Sequence, residues 1–307
     1  MTNWNVEDIT SQKGKNIIIT GANSGIGFEA ANILAKKEAH IIMACRDLSR
    51  AKEAKQAIIS EFASASIALY ELDLSSLDSV NSFVKQIKQD YKSIDILLNN
   101  AGVMAPPYTQ TKEGLELQFG VNHIGHFSLT LQLLDLFVTS TDPRIVNVAS
   151  LAHKFGRIKV ESFYYRPSNR YKKNIAYAQS KLANLLFTYA LDRKLKSLNL
   201  NIKVLAAHPG ISSTNLGRHS KVLSFRGIRK LVNAFNQSSY MGSLPSVRAC
   251  TDLDAKSGEY YGPSRLFEVK GDPIVVSSTK RSHNQELQDL LWDESVRITN
   301  KKIDVSI

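Results

Sequence analysis

The feature that most constrains this 307-residue chain is its alternation of short apolar runs with amphipathic stretches. Residues 16–20, 40–45, 67–72, 94–99, 144–148 and 202–206 are apolar through most of their length, as strands buried on both faces must be. Between them, 28–37, 48–62, 77–91, 114–138 and the segment around Tyr177 carry helical spacing. Such a pattern predicts a parallel sheet covered by helices on both sides. Right-handed crossovers make it a doubly wound α/β sheet, with ligand sites at the carboxyl ends of the strands. No repeat, low-complexity tract or linker divides the chain, so 1–307 reads as one domain.

The first strand ends in Thr20-Gly21-Ala22-Asn23-Ser24-Gly25-Ile26-Gly27. Gly21 suits a tight turn, Gly25 a close backbone approach to a pyrophosphate, and Gly27 close helix–strand packing. The following helix aims its N-terminal amides and dipole at the phosphates. At the end of the second strand stands Cys45-Arg46-Asp47. A free ribose 2′-hydroxyl usually meets an acid there, whereas Arg46 pairs with a 2′-phosphate, and Asp47 is equally suited to capping the next helix. NADP(H) is therefore preferred, with NAD(H) left open. Asp73-Leu74 ends the third strand, beside the expected adenine. Asn99-Asn100-Ala101-Gly102 ends the fourth, where small residues and amides border a cofactor or simply make a turn.

Tyr177 and Lys181, four apart, share one face of a helix. A phenol titrates near pH 10, too high for ready proton exchange at neutrality, and a nearby ammonium favours the phenolate. The pair is suited to proton transfer for an alcohol/carbonyl couple, although such a pair taken alone is far more often part of an ordinary surface helix.

The net charge is +11, spread along the chain with concentrations at 218–230 and at Lys172-Lys173. No basic stripe interleaved with aromatics supports nucleic-acid binding, and the histidines lack metal-ligand spacing, so no metal is expected. His123, His126, His153 and His208 read as packing or surface residues. No apolar run is long enough to span a bilayer, and 1–8 lack the features of a secretory signal. Cys45 and Cys250 lie in apolar segments and read as buried reduced thiols, consistent with a cytoplasmic protein.

Together, Thr20-Gly21-x-x-x-Gly25-Ile26-Gly27, Asn99-Asn100-Ala101-Gly102, Ser150, Tyr177-x-x-x-Lys181 and Pro209-Gly210 resemble, in order, the motifs of short-chain dehydrogenases/reductases. The resemblance covers about 14–276. Ala44-Cys45-Arg46-Asp47, Val121-Asn122-His123-Ile124-Gly125-His126-Phe127, Ser180-Lys181-Leu182-Ala183-Asn184 and Tyr260-Tyr261-Gly262-Pro263 resemble its retinol dehydrogenase-like branch, as does the long interval from Ser150 to Tyr177. The resemblance implies a three-layer Rossmann fold with seven strands and a catalytic tetrad of Asn122, Ser150, Tyr177 and Lys181. Ser150 would bond the substrate oxygen and Tyr177 would pass it a proton. Lys181 would hold the nicotinamide ribose and lower the tyrosine pKa, and Asn122 would anchor a water leading to solvent. Cofactor contacts would come from Gly21, Asn23, Ser24, Gly25, Ile26 and Gly27 at the pyrophosphate, and from Arg46, Asp73 and Leu74 at the adenosine. Asn100, Ala101 and Gly102 would border the ribose with Tyr177 and Lys181, and Pro209, Gly210, Ile211 and Thr214 the nicotinamide.

Residues 212–237 interleave apolar and basic side chains. They are read, within 211–240, first as a lid over a lipophilic pocket, then as a core helix, then as a helix skimming an anionic membrane. Residues 264–307 form a C-terminal extension whose end frays. The expected partner is a small lipophilic carbonyl or alcohol, retinoid-like in one version. Peripheral membrane contact and a homodimer or homotetramer, through 114–138 and 174–198 as in the family, stay open. Two other functions fit the same motifs: an NADP(H)-sensing regulator without turnover, and a carbon–carbon double-bond reductase of the protochlorophyllide reductase type.

Overall fold

A computed structural model describes residues 4–164, 171–211 and 237–305. Its first half alternates strictly: β1 (Asn16–Thr20), α1 (Gly25–Lys36), β2 (His40–Cys45), α2 (Leu48–Glu61), β3 (Ser66–Glu71), α3 (Leu77–Asp90) and β4 (Ile96–Asn99). Next come α4 (Leu117–Phe119), a π-helical turn (Gly120–Ile124), α5 (Gly125–Leu133), β5 (Arg144–Val148), α6 (Lys173–Ser197) and β6 (Lys203–Ala207). The described chain continues with α7 (Ser239–Thr251), β7 (Tyr260–Arg265), β8 (Lys270–Val276) and α8 (Gln285–Thr299).

The sheet order is β3-β2-β1-β4-β5-β6-β7-β8. All pairs from β3 to β7 are parallel, which supplies the seven expected strands, and β8 joins β7 antiparallel. The order reverses between β1 and β4, and a switch point of this kind opens a crevice at the carboxyl ends of the strands. Alternate side chains divide the core. Ile17, Ile19, Ile41 and Met43 pack towards α1 and α7, through Ala30, Leu34, Val247 and Cys250. Ile18, Ile42 and Leu97 face the other layer, where Phe83, Ile87, Phe127, Phe187 and Trp292 close the core.

Three elements depart from the sequence pattern. The helix expected over 114–138 is broken at Gly120–Ile124 by an i→i+5 turn, with the Gly125 amide donating to Gly120 O. Pro245 and Gly242 hide α7 from propensity, yet Leu244, Val247, Ala249 and Cys250 are buried against the sheet and hold the helix in place. The edge strand β8 contains Gly271 and Pro273, a composition tolerated only at a sheet edge. Both cysteines are free and buried, and burial pushes the Cys45 thiol up to about 11. Among the described residues no helix is long and apolar enough to cross a membrane.

Candidate active site

At the carboxyl ends of the strands lies a cleft of about 910 Å³, lined from Gly21 at one side to Lys181 and Pro209 at the other. Its floor is the turn after β1. Gly21 takes a positive φ of 66°, and a Cβ on Gly27 would stand 2.5 Å from Gly21 O and 2.4 Å from Asn100 Nδ2. The β1–α1 turn and the β4 loop are thus stacked with no room between them. Gly27→Ala is expected to cost about 1–3 kcal/mol, the range for overpacking a close contact. An unchanged denaturation midpoint would show that the loops yield freely.

Thr20 holds the β4 loop. Its Oγ1 accepts from the Asn100 and Ala101 amides, each at 2.9 Å, and its carbonyl accepts from Asn100 Nδ2 at 2.8 Å. Asn23, Ser24, Gly25 and Ile26 line the cleft beside this turn, as do Ala101 and Gly102. Beyond β2, Asp47 is committed to capping α2, its Oδ1 accepting from the Arg50 amide at 3.1 Å. Arg46, Ser49 and Arg50 line the same end of the cleft. Arg50 was missed from sequence, since only the helix that Asp47 starts brings it round. Asp73 and Leu74 line the cleft as well, and Asp73 Oδ1 accepts from the Ser75 amide and hydroxyl.

At the opposite end, α6 presents Tyr177 and Lys181 on one face, with Lys181 Nζ 5.8 Å from the Tyr177 ring centre. Ser150, which follows β5 and accepts from the Ala152 amide at 3.2 Å, lies beside the Tyr177 phenol and favours its ionised form, but is not itself on the cleft wall. Burial nevertheless pushes the phenol up to about 12, and the Ser150 bond offsets only part of that rise. The expected lowering of the tyrosine by Lys181 is therefore absent. Lys181 is itself buried and pushed down to about 8, and its Nζ donates to Val148 O at 2.9 Å. Asn184 Nδ2 shares that carbonyl at 3.0 Å.

Asn122 sits in the π-helical turn behind the cleft rather than on its wall. Its Oδ1 accepts from the Val103 amide at 2.8 Å, and its Nδ2 donates to Val103 O at 3.0 Å and Ser180 Oγ at 2.9 Å. Pro209 reaches the cleft, whereas Gly210 and Ile211 are tied to the β7–β8 hairpin, with the Ile211 amide donating to Val269 O at 2.9 Å. Thr214 and, of the lid expected over 211–240, residues 212–236 lie outside the described residues. Val103, Met104, Pro106, Leu117 and Val121 add an apolar wall that no motif marked. The four singled-out histidines are all buried. His123 bonds Ser295, His153 bonds Ser150 O, and the ring of His208 accepts from the Gly210 amide.

A short chain dehydrogenase family model matches residues 15–221. Retinol dehydrogenase 14 of Mus musculus is 43% identical over 92% of this chain and 85% of its own length. The short-chain dehydrogenase TIC 32 B, chloroplastic, of Brassica napus is 37% identical over 96% of this chain and 92% of its own. A crystal structure of an uncharacterized protein from Mycobacterium paratuberculosis superposes with a TM-score of 0.82 at 36% identity, covering 99% of this chain and 100% of that one.

Proposed function

The chain belongs to the short-chain dehydrogenase family of oxidoreductases, and from that premise we propose that it moves hydride between NADP(H) and a lipophilic alcohol, aldehyde or ketone. The observation that carries the reading is the pair Tyr177 and Lys181 on the wall of a cleft whose other end is the glycine turn after β1. The turn fits a dinucleotide. Its glycine backbone is bare, α1 begins there with amides free for an anion, and two guanidinium groups stand at the adenosine end.

Hydride donation or acceptance is the chemistry that a bound nicotinamide supplies. Ser150 donates to the substrate oxygen and fixes the carbonyl in the cleft. Tyr177, held protonated by burial, is in the form that donates a proton to that oxygen as negative charge develops on it. Lys181 would hold the ribose hydroxyls of a bound cofactor, and Asn122 keeps the Val103 loop in register. The apolar wall from Val103 to Val121 supports a lipophilic substrate, in keeping with the retinol dehydrogenase relative.

The preference for NADP(H) rests on Asp47. Its Oδ1 is taken by the α2 cap, so although Asp47 and Glu71 also line this end of the cleft, Arg46 and Arg50 are the groups there that suit a 2′-phosphate. Converting both arginines to Ala is expected to weaken NADPH binding about tenfold to a hundredfold, at about 1.5–3 kcal/mol for bonds to charged groups. NADH binding should change less than about threefold. Parallel fluorescence titrations decide this, and a wild-type preference for NADH would overturn the assignment of the two arginines. Turnover of an aldehyde and ketone panel, with the product identified, tests the reaction itself and separates carbonyl from double-bond reduction.

A further inference from the structure

We propose that His126 is a positioning residue that couples the β4 loop, at Asn100 and Ala101, to Asn122 through one directed chain of hydrogen bonds. The proposal rests on the oxidoreductase reading above, because it assigns those two places to the ribose and to the proton route.

His126 is buried, on the first turn of α5. Its Nδ1 lies 3.1 Å from Asn122 O and its Nε2 2.9 Å from Thr20 Oγ1. A carbonyl only accepts, so Nδ1 carries the hydrogen. Burial holds the ring down to about 4, so it is neutral and Nε2 is an acceptor. The Thr20 hydroxyl must then donate to Nε2, since its other acceptor, Leu98 O, stands further off at 3.4 Å. With its proton so placed, Thr20 turns its lone pairs to the Asn100 and Ala101 amides.

Every donor and acceptor in the chain is thereby assigned, and the chain closes on itself. Asn122, reached from His126, grips Val103 with its side chain, two residues beyond Ala101. The ring runs from Thr20 through the β4 loop to Asn122 and back through His126. The bonds of His126 to Thr20 and to Asn122 are both buried, so neither has water as a substitute partner. His126, which reads as a packing residue in the sequence, bonds both Thr20 and Asn122.

The two nitrogens can be separated by substitution. His126→Asn places an amide where Nδ1 lies and removes the partner of Thr20. His126→Gln reaches the Nε2 position and removes the donor to Asn122. Both are measured in the full-length protein for NADPH affinity by fluorescence titration and for kcat at saturating NADPH. The Asn variant should weaken NADPH about tenfold with kcat within about threefold, and the Gln variant the reverse. His126→Phe should lose both, and if it fails to fold the other two variants still decide. Equal losses of affinity and kcat in the Asn and Gln variants, tracking a common fall in Tm, would mean a purely structural histidine and overturn the proposal, as would no change in either. If the wild-type protein turns over no carbonyl, the functional reading fails. The affinities alone then judge the coupling: it stands if the Asn variant loses NADPH and the Gln variant does not, and falls otherwise.

Discussion

Tyr177→Phe is expected to lower kcat for carbonyl reduction about a thousandfold, within the range of roughly 10²–10⁴ for a positioned proton donor. The NADPH dissociation constant should stay within about threefold, because the hydroxyl removed is the one that faces Ser150 and the substrate. The ring keeps its place on α6, and Ser150 retains its bond from the Ala152 amide, so the cleft keeps its shape. Burial pushes the phenol up to about 12, which leaves it protonated throughout the neutral range. Single-turnover oxidation of NADPH, followed by absorbance beside a fluorescence titration, gives both quantities. A fall in kcat below about tenfold would remove Tyr177 from the proton's path.

The parts of this site that follow one another along the chain were legible in it. The strand alternation located β1, β2 and β5 to the residue, because burial on both faces leaves an uninterrupted apolar run. The turn from Gly21 to Gly27 was legible because close packing excludes a Cβ there. What failed to show depended on distant contacts. The π-helical turn at Asn122 is invisible to a helical period, since one inserted residue leaves the apolar spacing nearly intact. The cap at Asp47 was legible as one of two readings, but the presence of Arg50 in the cleft depends on where the first turn of α2 points. Spacing put Lys181 beside Tyr177 but gave no warning that Val148 O would take its ammonium. Nor could it show that burial would push the phenol up.

Lys181 supplies the second large effect, and its sign can be worked out twice. Burial holds the ammonium down to about 8 from an ordinary 10.5, with Val148 O accepting from it at 2.9 Å. Below pH 8 the lysine is charged and able to bind the ribose; as pH rises through about 8 the unliganded protein loses that charge. Wild-type affinity for NADPH should therefore fall above pH 8, and Lys181→Met should be weak and flat across the same range. Stability runs the other way. Between about 8 and 10.5 the unfolded lysine binds the proton that the folded one has released, so folding becomes more favourable as pH rises through that window. The cost of the buried charge at pH 7 is about 3 kcal/mol. Replacing Lys181 by Met removes that cost, and the variant should melt higher than wild type at pH 7 while losing about a hundredfold in kcat. Melting curves and titrations at pH 7 and 9 test both signs in one preparation. A variant that loses stability together with activity would show that the lysine serves the fold, whereas gain of one with loss of the other marks a charge kept in the core for the ligand it meets there.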